Sequence, residues 1–411
     1  MGSDLEATQP YRAVLGTPLD ALLALSEEDK ERRGLQDTPR EIFQQPETWL
    51  ETIERVAGQR HDLAEFISDF LLDGSGSRPA VILVGAGTSD YIGRTISRVL
   101  RHEWACDVSA VASTELLTNL DDYILPGYRY LFISFSRSGE SSEGVAVLAQ
   151  ALAQHPAQVC HLVVTCNENG SMAKMPGVRA VVLGGRTNDR GLAMTSSFSN
   201  MVLAGQLLAF IRKPHRFEPY ARRLAEIAAN KMGEMAEAAA DLAAKKFSRV
   251  CFLGTGALQA IAEESSLKVL ELNAGRIATV AQSPLGLRHG PLSFVDDHTL
   301  VVTFLSNTPL RQQYELDLLD ELQEKRLGAE MLIVAPSRTP RIEQFKARVI
   351  VLDAPEDMHD AYLPIVDIIA GQLLGLFFSI ENGITPDSPS TGAISRVVSH
   401  VKIYTPDGDL Q

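Results

Sequence analysis

The chain has 411 residues, enough for two ordinary domains with full cores, and its 45% hydrophobic and 22% charged content is that of a globular protein. A net charge of −14 argues against a general nucleic-acid or acidic-membrane surface, while leaving room for a small anion held by local dipoles and a few cations. The four cysteines (Cys106, Cys160, Cys166 and Cys251) fit neither a disulfide framework nor zinc spacing, so reduced core thiols in a cytoplasmic protein are expected.

The opening stretch, MGSDLEATQP, is polar and acidic, unlike a signal peptide. No apolar run is read as reaching the roughly 18 residues of a membrane span, so a soluble protein is expected, with neither membrane nor nucleic acid as partner. Residues 1–47 read as a helical extension: Leu19, Leu22, Leu23 and Leu25 suggest one short helix, and Glu27 to Arg33 a solvated face. Between Thr48 and Leu72, positions such as Leu50, Ile53, Val56, Leu63, Ile67 and Phe70 repeat at helical spacing. Gly74 to Pro79 closes that region.

Strand and helix patterns then alternate. Ala80–Val84 is a strand, Gly85 to Ser89 a turn, and Asp90–Trp104 a helix, followed by a strand at Val108–Ala112 and a helix near Thr114–Leu120. The run Leu131–Phe135 reads as a buried strand that empties into Ser136, Arg137, Ser138, Gly139, Glu140, Ser141 and Ser142, before a helical pattern from Val145 to Leu152. Strands at His161–Thr165 and Ala180–Leu183 and a helix over Ser197–Ile211 complete the first half. Short apolar runs alternating with helices predict a parallel sheet covered on both faces.

The serine-rich loop is a candidate anion site. Free N–H groups of a first helical turn, hydroxyl donors and the helix dipole all favour a phosphate there. Simple N-capping would need one serine, and the loop offers four.

After a linker near Lys213-Pro214-His215 and alanine-rich helices over residues 217–246, the pattern recurs. Gly85 and Gly254, Phe135 and Phe304, and Leu162 and Met331 are each separated by 169 positions, which predicts two copies of one fold. The division expected is residues 48–215, residues 216–387 and a tail over 388–411. The second copy has Leu305, Asn307 and Leu310 where the first has Ser136, Ser138 and Ser141, so the anion site is expected in the first copy only.

The second copy carries its own polar signals. Glu264, Lys268 and Glu271 fall on one helical face, either an ordinary surface salt-bridge pattern or a reactive cluster. His289, flanked by Gly290-Pro291, is either a structural loop residue or a general acid/base. Gly85-Ala86-Gly87 is a weak dinucleotide signal, because Asp90 stands where a third glycine belongs.

Gly-x-Gly-Thr-Ser at 85–89, Ser-x-Ser-Gly-Glu at 136–140, Leu-Lys-x-x-Glu at 267–271 and Leu-Arg-His-Gly-Pro-Leu at 287–292 resemble the sugar isomerase (SIS) domain family. In this order the motifs are similar to the isomerase half of glucosamine-6-phosphate synthase. The chain has no room for the synthase's glutaminase domain, and Arg137 replaces its usual glutamine. The SFSRSGESSE version, with Ser388 to Gly392 and Ser395-Arg396-Val397-Val398 in the tail, more closely resembles the double-SIS tagatose-6-phosphate ketose/aldose isomerases. Those proteins are also described as galactosamine-6-phosphate deaminase/isomerases. The resemblance implies an α/β fold of two tandem flavodoxin-like SIS domains after N-terminal helices. It implies that Thr88, Ser89, Ser136, Ser138 and Ser141, together with Arg137, Thr195 and Arg396, bind a phosphorylated sugar.

By the same resemblance Glu271 shuttles a proton between C1 and C2, His289 opens the sugar ring, Lys268 orients Glu271, and the protein is a homodimer with shared sites. Moving a carbonyl along a sugar needs one base able to serve two carbons, a task suited to a carboxylate screened from water. Neither metal nor other cofactor is expected. The synthase's C-terminal lysine, which forms a Schiff base with its ketose, has no counterpart at Ile394-Ser395-Arg396, and Lys402 lies too far along. A 2-amino sugar would make such a lysine unnecessary, because its own nitrogen becomes a ketimine when the proton moves. The expected activity is therefore an amino-sugar-phosphate deaminase/isomerase. A simple ketose/aldose isomerase, a deglycase and a non-catalytic sugar-phosphate sensor are the alternatives.

Overall fold

The computed structural model describes residues 16–72, 74, 76–390, 392, 394–398, 401–405 and 408–410; the earliest part of the N-terminal extension lies outside them. The chain opens with α1 (Pro18–Leu23), α2 (Glu27–Arg33), α3 (Thr38–Phe43), α4 (Gln45–Gly58) and α5 (Arg60–Leu72). The first repeat follows: β1 (Arg78–Gly85), α6 (Thr88–Trp104), β2 (Asp107–Ala112), α7 (Ser113–Tyr123), β3 (Tyr128–Ser136), α8 (Ser142–Gln154), β4 (Val159–Thr165), α9 (Ser171–Lys174), β5 (Val178–Val182) and α10 (Ser196–Ala209). A long helix, α11 (Glu218–Ala243), leads into the second: β6 (Arg249–Gly254), α12 (Ala257–Leu272), β7 (Ala278–Gln282), α13 (Pro284–Leu287), β8 (Thr299–Phe304), α14 (Pro309–Glu324), β9 (Glu330–Ala335), β10 (Arg348–Val351) and α15 (Pro364–Glu381). A short antiparallel ribbon, β11 (Ile403–Thr405) with β12 (Gly408–Leu410), ends the description.

Each repeat is a five-stranded parallel sheet, ordered β2-β1-β3-β4-β5 and β7-β6-β8-β9-β10. That order is flavodoxin-like, and it places a ligand crevice beyond the carboxyl ends of β1 and β3, where the winding reverses. Central strands such as β3 and β8 are apolar and buried along nearly their whole length because helices cover both faces. Both repeats turn tightly after the first strand: a Cβ on Gly85 would sit 2.3 Å from the Ser89 carbonyl oxygen, and one on Gly254 2.2 Å from that of Leu258. Only glycine lets the following helix start so close to its strand.

The two repeats share a core on one side of their sheets, and each keeps a smaller core of its own on the other. One apolar cluster runs from Leu19 and Trp49 in the N-terminal helices through Phe198 on α10 to Phe252 and Leu373 in the second repeat. The sequence-based division at 47/48 passes through α4, which Pro46 starts in its first turn.

Among the elements that escaped the sequence reading are β7, β10 and α15. α15 corrects the expectation that no segment is long and apolar enough to cross a bilayer. Its 18 residues pass that test by length and composition, yet 89% of them are buried inside the protein. A helix apolar on every side is what a central core element looks like.

Candidate active site

The salt-bridge triplet on α12 is not on the surface. Glu264 and Lys268 are fully buried, and the Glu271 side chain is 24% exposed. Lys268 Nζ spends its three donors on Glu271 Oε2 at 2.6 Å, Thr88 Oγ1 at 3.0 Å and Glu264 Oε1 at 3.2 Å. Burial alone would lower the Lys268 pKa; the two carboxylates outweigh it and hold the ammonium charged. Burial pushes Glu264 up to about 8 against the pull of Lys268. Its second oxygen has no hydrogen-bond partner among the described residues. The arrangement is one fixed cation between a hidden carboxyl and a partly accessible carboxylate, a geometry that can hold Glu271 in one orientation.

Thr88 brings the first repeat to this cluster. It opens α6, and its hydroxyl donates to Glu264 Oε1 at 3.2 Å while accepting from Lys268. The next residue, Ser89, lines a separate cavity of about 240 Å³ at the β1–β3 crevice. Consecutive residues thus join a polar pocket to the α12 cluster.

That cavity gathers Ser136, Arg137, Ser138 and Ser141 from the serine loop, and Arg396 from the tail. The loop is braced from within: Gly139 N donates to Ser136 Oγ at 3.0 Å, and Asn167 Nδ2 to the Ser138 carbonyl at 2.8 Å. Ser141 starts α8 without a side-chain capping bond. The tail lies over this helix end, where Ser142 N donates to the Val398 carbonyl at 3.0 Å.

Three of the expected substrate contacts spend donors on the protein itself. Arg137 is buried and donates to the carbonyls of Gly191 (3.3 Å), Leu192 (3.2 Å) and Arg396 (2.5 Å). Burial, and then the neighbouring Arg396, lower its pKa. Arg396 in turn donates to the Asp189 carbonyl and to Asn188 Oδ1, each at 2.7 Å. Both guanidiniums build the cavity wall, with these donors spent on loop oxygens. Thr195, the third, does not line the cavity; its N–H donates to buried Asp189 at 2.8 Å and its hydroxyl faces the same carboxylate. His289 is exposed between α13 and the short turn at Pro291–Phe294, and no hydrogen bond among the described residues joins it to the α12 cluster.

The second repeat differs at the equivalent place. At the loop between β8 and α14, Asp360 accepts Asn307 N (2.6 Å), Ser306 Oγ (2.5 Å), Thr308 Oγ1 (3.1 Å) and Arg311 (2.7 Å). An internal carboxylate thus takes up the donors of this loop. Sequence reasoning missed this, and it also missed Glu264, Asp189 and Glu41 as buried polar centres; position 264 on the charged α12 face was the one available signal.

No family model matches the chain. The D-galactosamine-6-phosphate deaminase AgaS of Escherichia coli is 36% identical over 375 residues, covering 89% of this chain and 95% of that protein. A crystal structure from Clostridium novyi NT, described as a tagatose-6-phosphate ketose/aldose isomerase, superposes with TM-score 0.88 at 31% identity over 93% of this chain and 98% of that one. The Escherichia coli tagatose-6-phosphate ketose/aldose isomerase gives TM-score 0.79 at 34% identity over 86% and 95%. With that identity and coverage, and with two flavodoxin-like repeats around a serine-lined crevice, the chain belongs to the double-SIS sugar isomerase family that includes the AgaS deaminases.

Proposed function

We propose that this protein is an amino-sugar-phosphate deaminase/isomerase that converts galactosamine 6-phosphate and water to tagatose 6-phosphate and ammonia. The observation that carries the reading is Glu271, about one-quarter exposed and held at 2.6 Å by a buried lysine beside the residue pair leading to the serine-lined cavity. In this reading the cavity holds the phosphate through the hydroxyls of Ser89, Ser136, Ser138 and Ser141 and the α8 N-terminus.

With the ring open, Glu271 takes the proton from C2 and returns it to C1. The electron pair moves through an enolamine, so C1 becomes an alcohol carbon and C2 a ketimine. Water adds to C2, and the nitrogen leaves as ammonia. Lys268 stabilises the developing negative charge and fixes the carboxylate between the two carbons. The substrate's own nitrogen forms the imine, which agrees with a tail that presents Arg396, bound to Asn188 and Asp189, where a Schiff-base lysine would stand.

Ring opening falls to His289. Its exposure in one chain supports a homodimer in which it enters the neighbouring site, in a soluble, cytoplasmic protein. The test is an ammonia-release screen of the purified protein over phosphorylated amino sugars, with phosphorylated ketoses and aldoses as controls. Ammonia from galactosamine 6-phosphate supports the reading. Aldose–ketose exchange without ammonia from any amino sugar would replace it with a plain isomerase.

A further inference from the structure

The helix α3 lies in the N-terminal extension, outside both sheets, yet one of its charged residues is buried in the first repeat. Glu41 is 2% exposed, and its carboxylate accepts the backbone N–H of Arg190 at 2.5 Å and of Gly191 at 3.3 Å. The fit leaves no spare room: a Cβ on Gly191 would lie 2.8 Å from Thr38 Oγ1 and 3.0 Å from Glu41 Oε2. From the far side of the same loop, the Gly191 and Leu192 carbonyls receive the Arg137 guanidinium at 3.3 and 3.2 Å. Asp387 closes the grip. Its carboxylate accepts Thr38 N and Thr38 Oγ1, each at 2.7 Å, and its carbonyl accepts Leu192 N at 3.1 Å.

Helix α3 therefore holds one face of the 190–192 loop and Arg137 the other, in a close-packed region where a shift at one link displaces the next. Arg137 sits within the serine loop and lines its cavity. No hydrogen bond among the described residues links Glu41 or the loop to Glu264, Lys268 or Glu271.

We propose that α3 is part of the substrate-site framework, with Glu41 a positioning residue that sets, through the 190–192 loop, where Arg137 and the serine loop stand. This rests on reading the cavity as the sugar-phosphate site. Glu41 touches no substrate. Its loss therefore weakens binding and leaves the proton-transfer step alone.

The test compares wild type, Glu41→Ala, Glu41→Gln and Ile42→Ala as full chains. Ile42 is fully buried on the same helix and serves as the purely structural control. The readouts are the calorimetric Kd for inorganic phosphate, KM and kcat with galactosamine 6-phosphate, and Tm. Glu41→Ala is expected to raise Kd and KM about tenfold, the equivalent of one or two lost hydrogen bonds, with kcat within about twofold. Glu41→Gln keeps one acceptor oxygen and is expected to raise both about threefold. Ile42→Ala is expected to lower Tm without moving Kd or KM.

Unchanged Kd and KM in folded Glu41→Ala would overturn the proposal, as would an equal shift in Ile42→Ala. If Glu41→Ala does not fold, Glu41→Gln decides on the same readouts. A wild type that binds phosphate but turns over no sugar phosphate would overturn the functional reading, while the Kd series still decides the role of Glu41. A wild type that binds no phosphate would overturn both.

Discussion

At the residue scale, the account depends on one buried ammonium shared by two carboxyls. Truncating it in Lys268→Met would leave Glu264 and Glu271 without their cation, and the expected loss of stability is roughly 3 kcal/mol, read from urea unfolding. Glu264 makes a separate prediction about pH. Its carboxyl pKa rises from the ordinary 4.5 to about 8, so the folded state binds the proton more tightly than the unfolded chain. The stabilisation is therefore complete below pH 4.5 and disappears as pH climbs through about 8. Glu264→Gln, which keeps an acceptor for Thr88 and Lys268, should flatten that slope in a Tm-against-pH series. An unchanged slope would show that Glu264 is ionised across the range. The sequence carried the spacing of these residues but not their depth: positions 264, 268 and 271 describe a salted surface helix as well as a buried one. The partners of Arg137 and Arg396 were hidden in the same manner. Charge is visible in a sequence, whereas the carbonyls that absorb it come from 54 and 259 positions away for Arg137 and 207 for Arg396.

At the scale of elements, α12 is carried by α15. A Cβ on Gly371 would fall 2.2 Å from Ser265 Oγ and 2.5 Å from Ser265 Cβ, so the two helices meet at closest approach one turn from Lys268. Gly371→Ala should push them apart at a cost of about 1–3 kcal/mol and lower kcat by displacing Glu271, checked by unfolding and steady-state kinetics. The loop between β8 and α14 offers a second check. Asp360→Ala should destabilise the protein by about 2 kcal/mol, and inorganic phosphate should raise the variant's Tm more than the wild type's by entering the vacated nest. No extra rescue would mean the loop needs Asp360 as a strut and not as an anion. The offset of 169 positions located β6, β8 and β9 from β1, β3 and β4. Carried further, it maps β5 onto β10 and α10 onto α15. Those partners were overlooked because α15 has no polar face to give it a period, and because β10 is only four residues long.

At the scale of the whole molecule, the repeat divides the labour. The first copy carries hydroxyls at an open crevice; the second fills its equivalent loop with Asp360 and, in the proposed function, supplies the reactive helix. The N-terminal helices, which looked in sequence like a polar extension, are tied to the first copy through Glu41 and to the end of the second through Asp387. If His289 serves the partner's site, Glu271→Gln and His289→Asn, each inactive alone, should recover about a quarter of wild-type activity when mixed at equal concentrations and allowed to exchange subunits. A mixture that stays inactive would place both residues in one chain's site. The most direct test of the central claim is the rate of ammonia release from galactosamine 6-phosphate by Glu271→Gln against wild type, with both proteins shown to bind the sugar phosphate. Loss of the base should slow release by roughly 10²–10⁴-fold with little change in binding. Release at the wild-type rate would contradict the assignment of the proton transfer to Glu271.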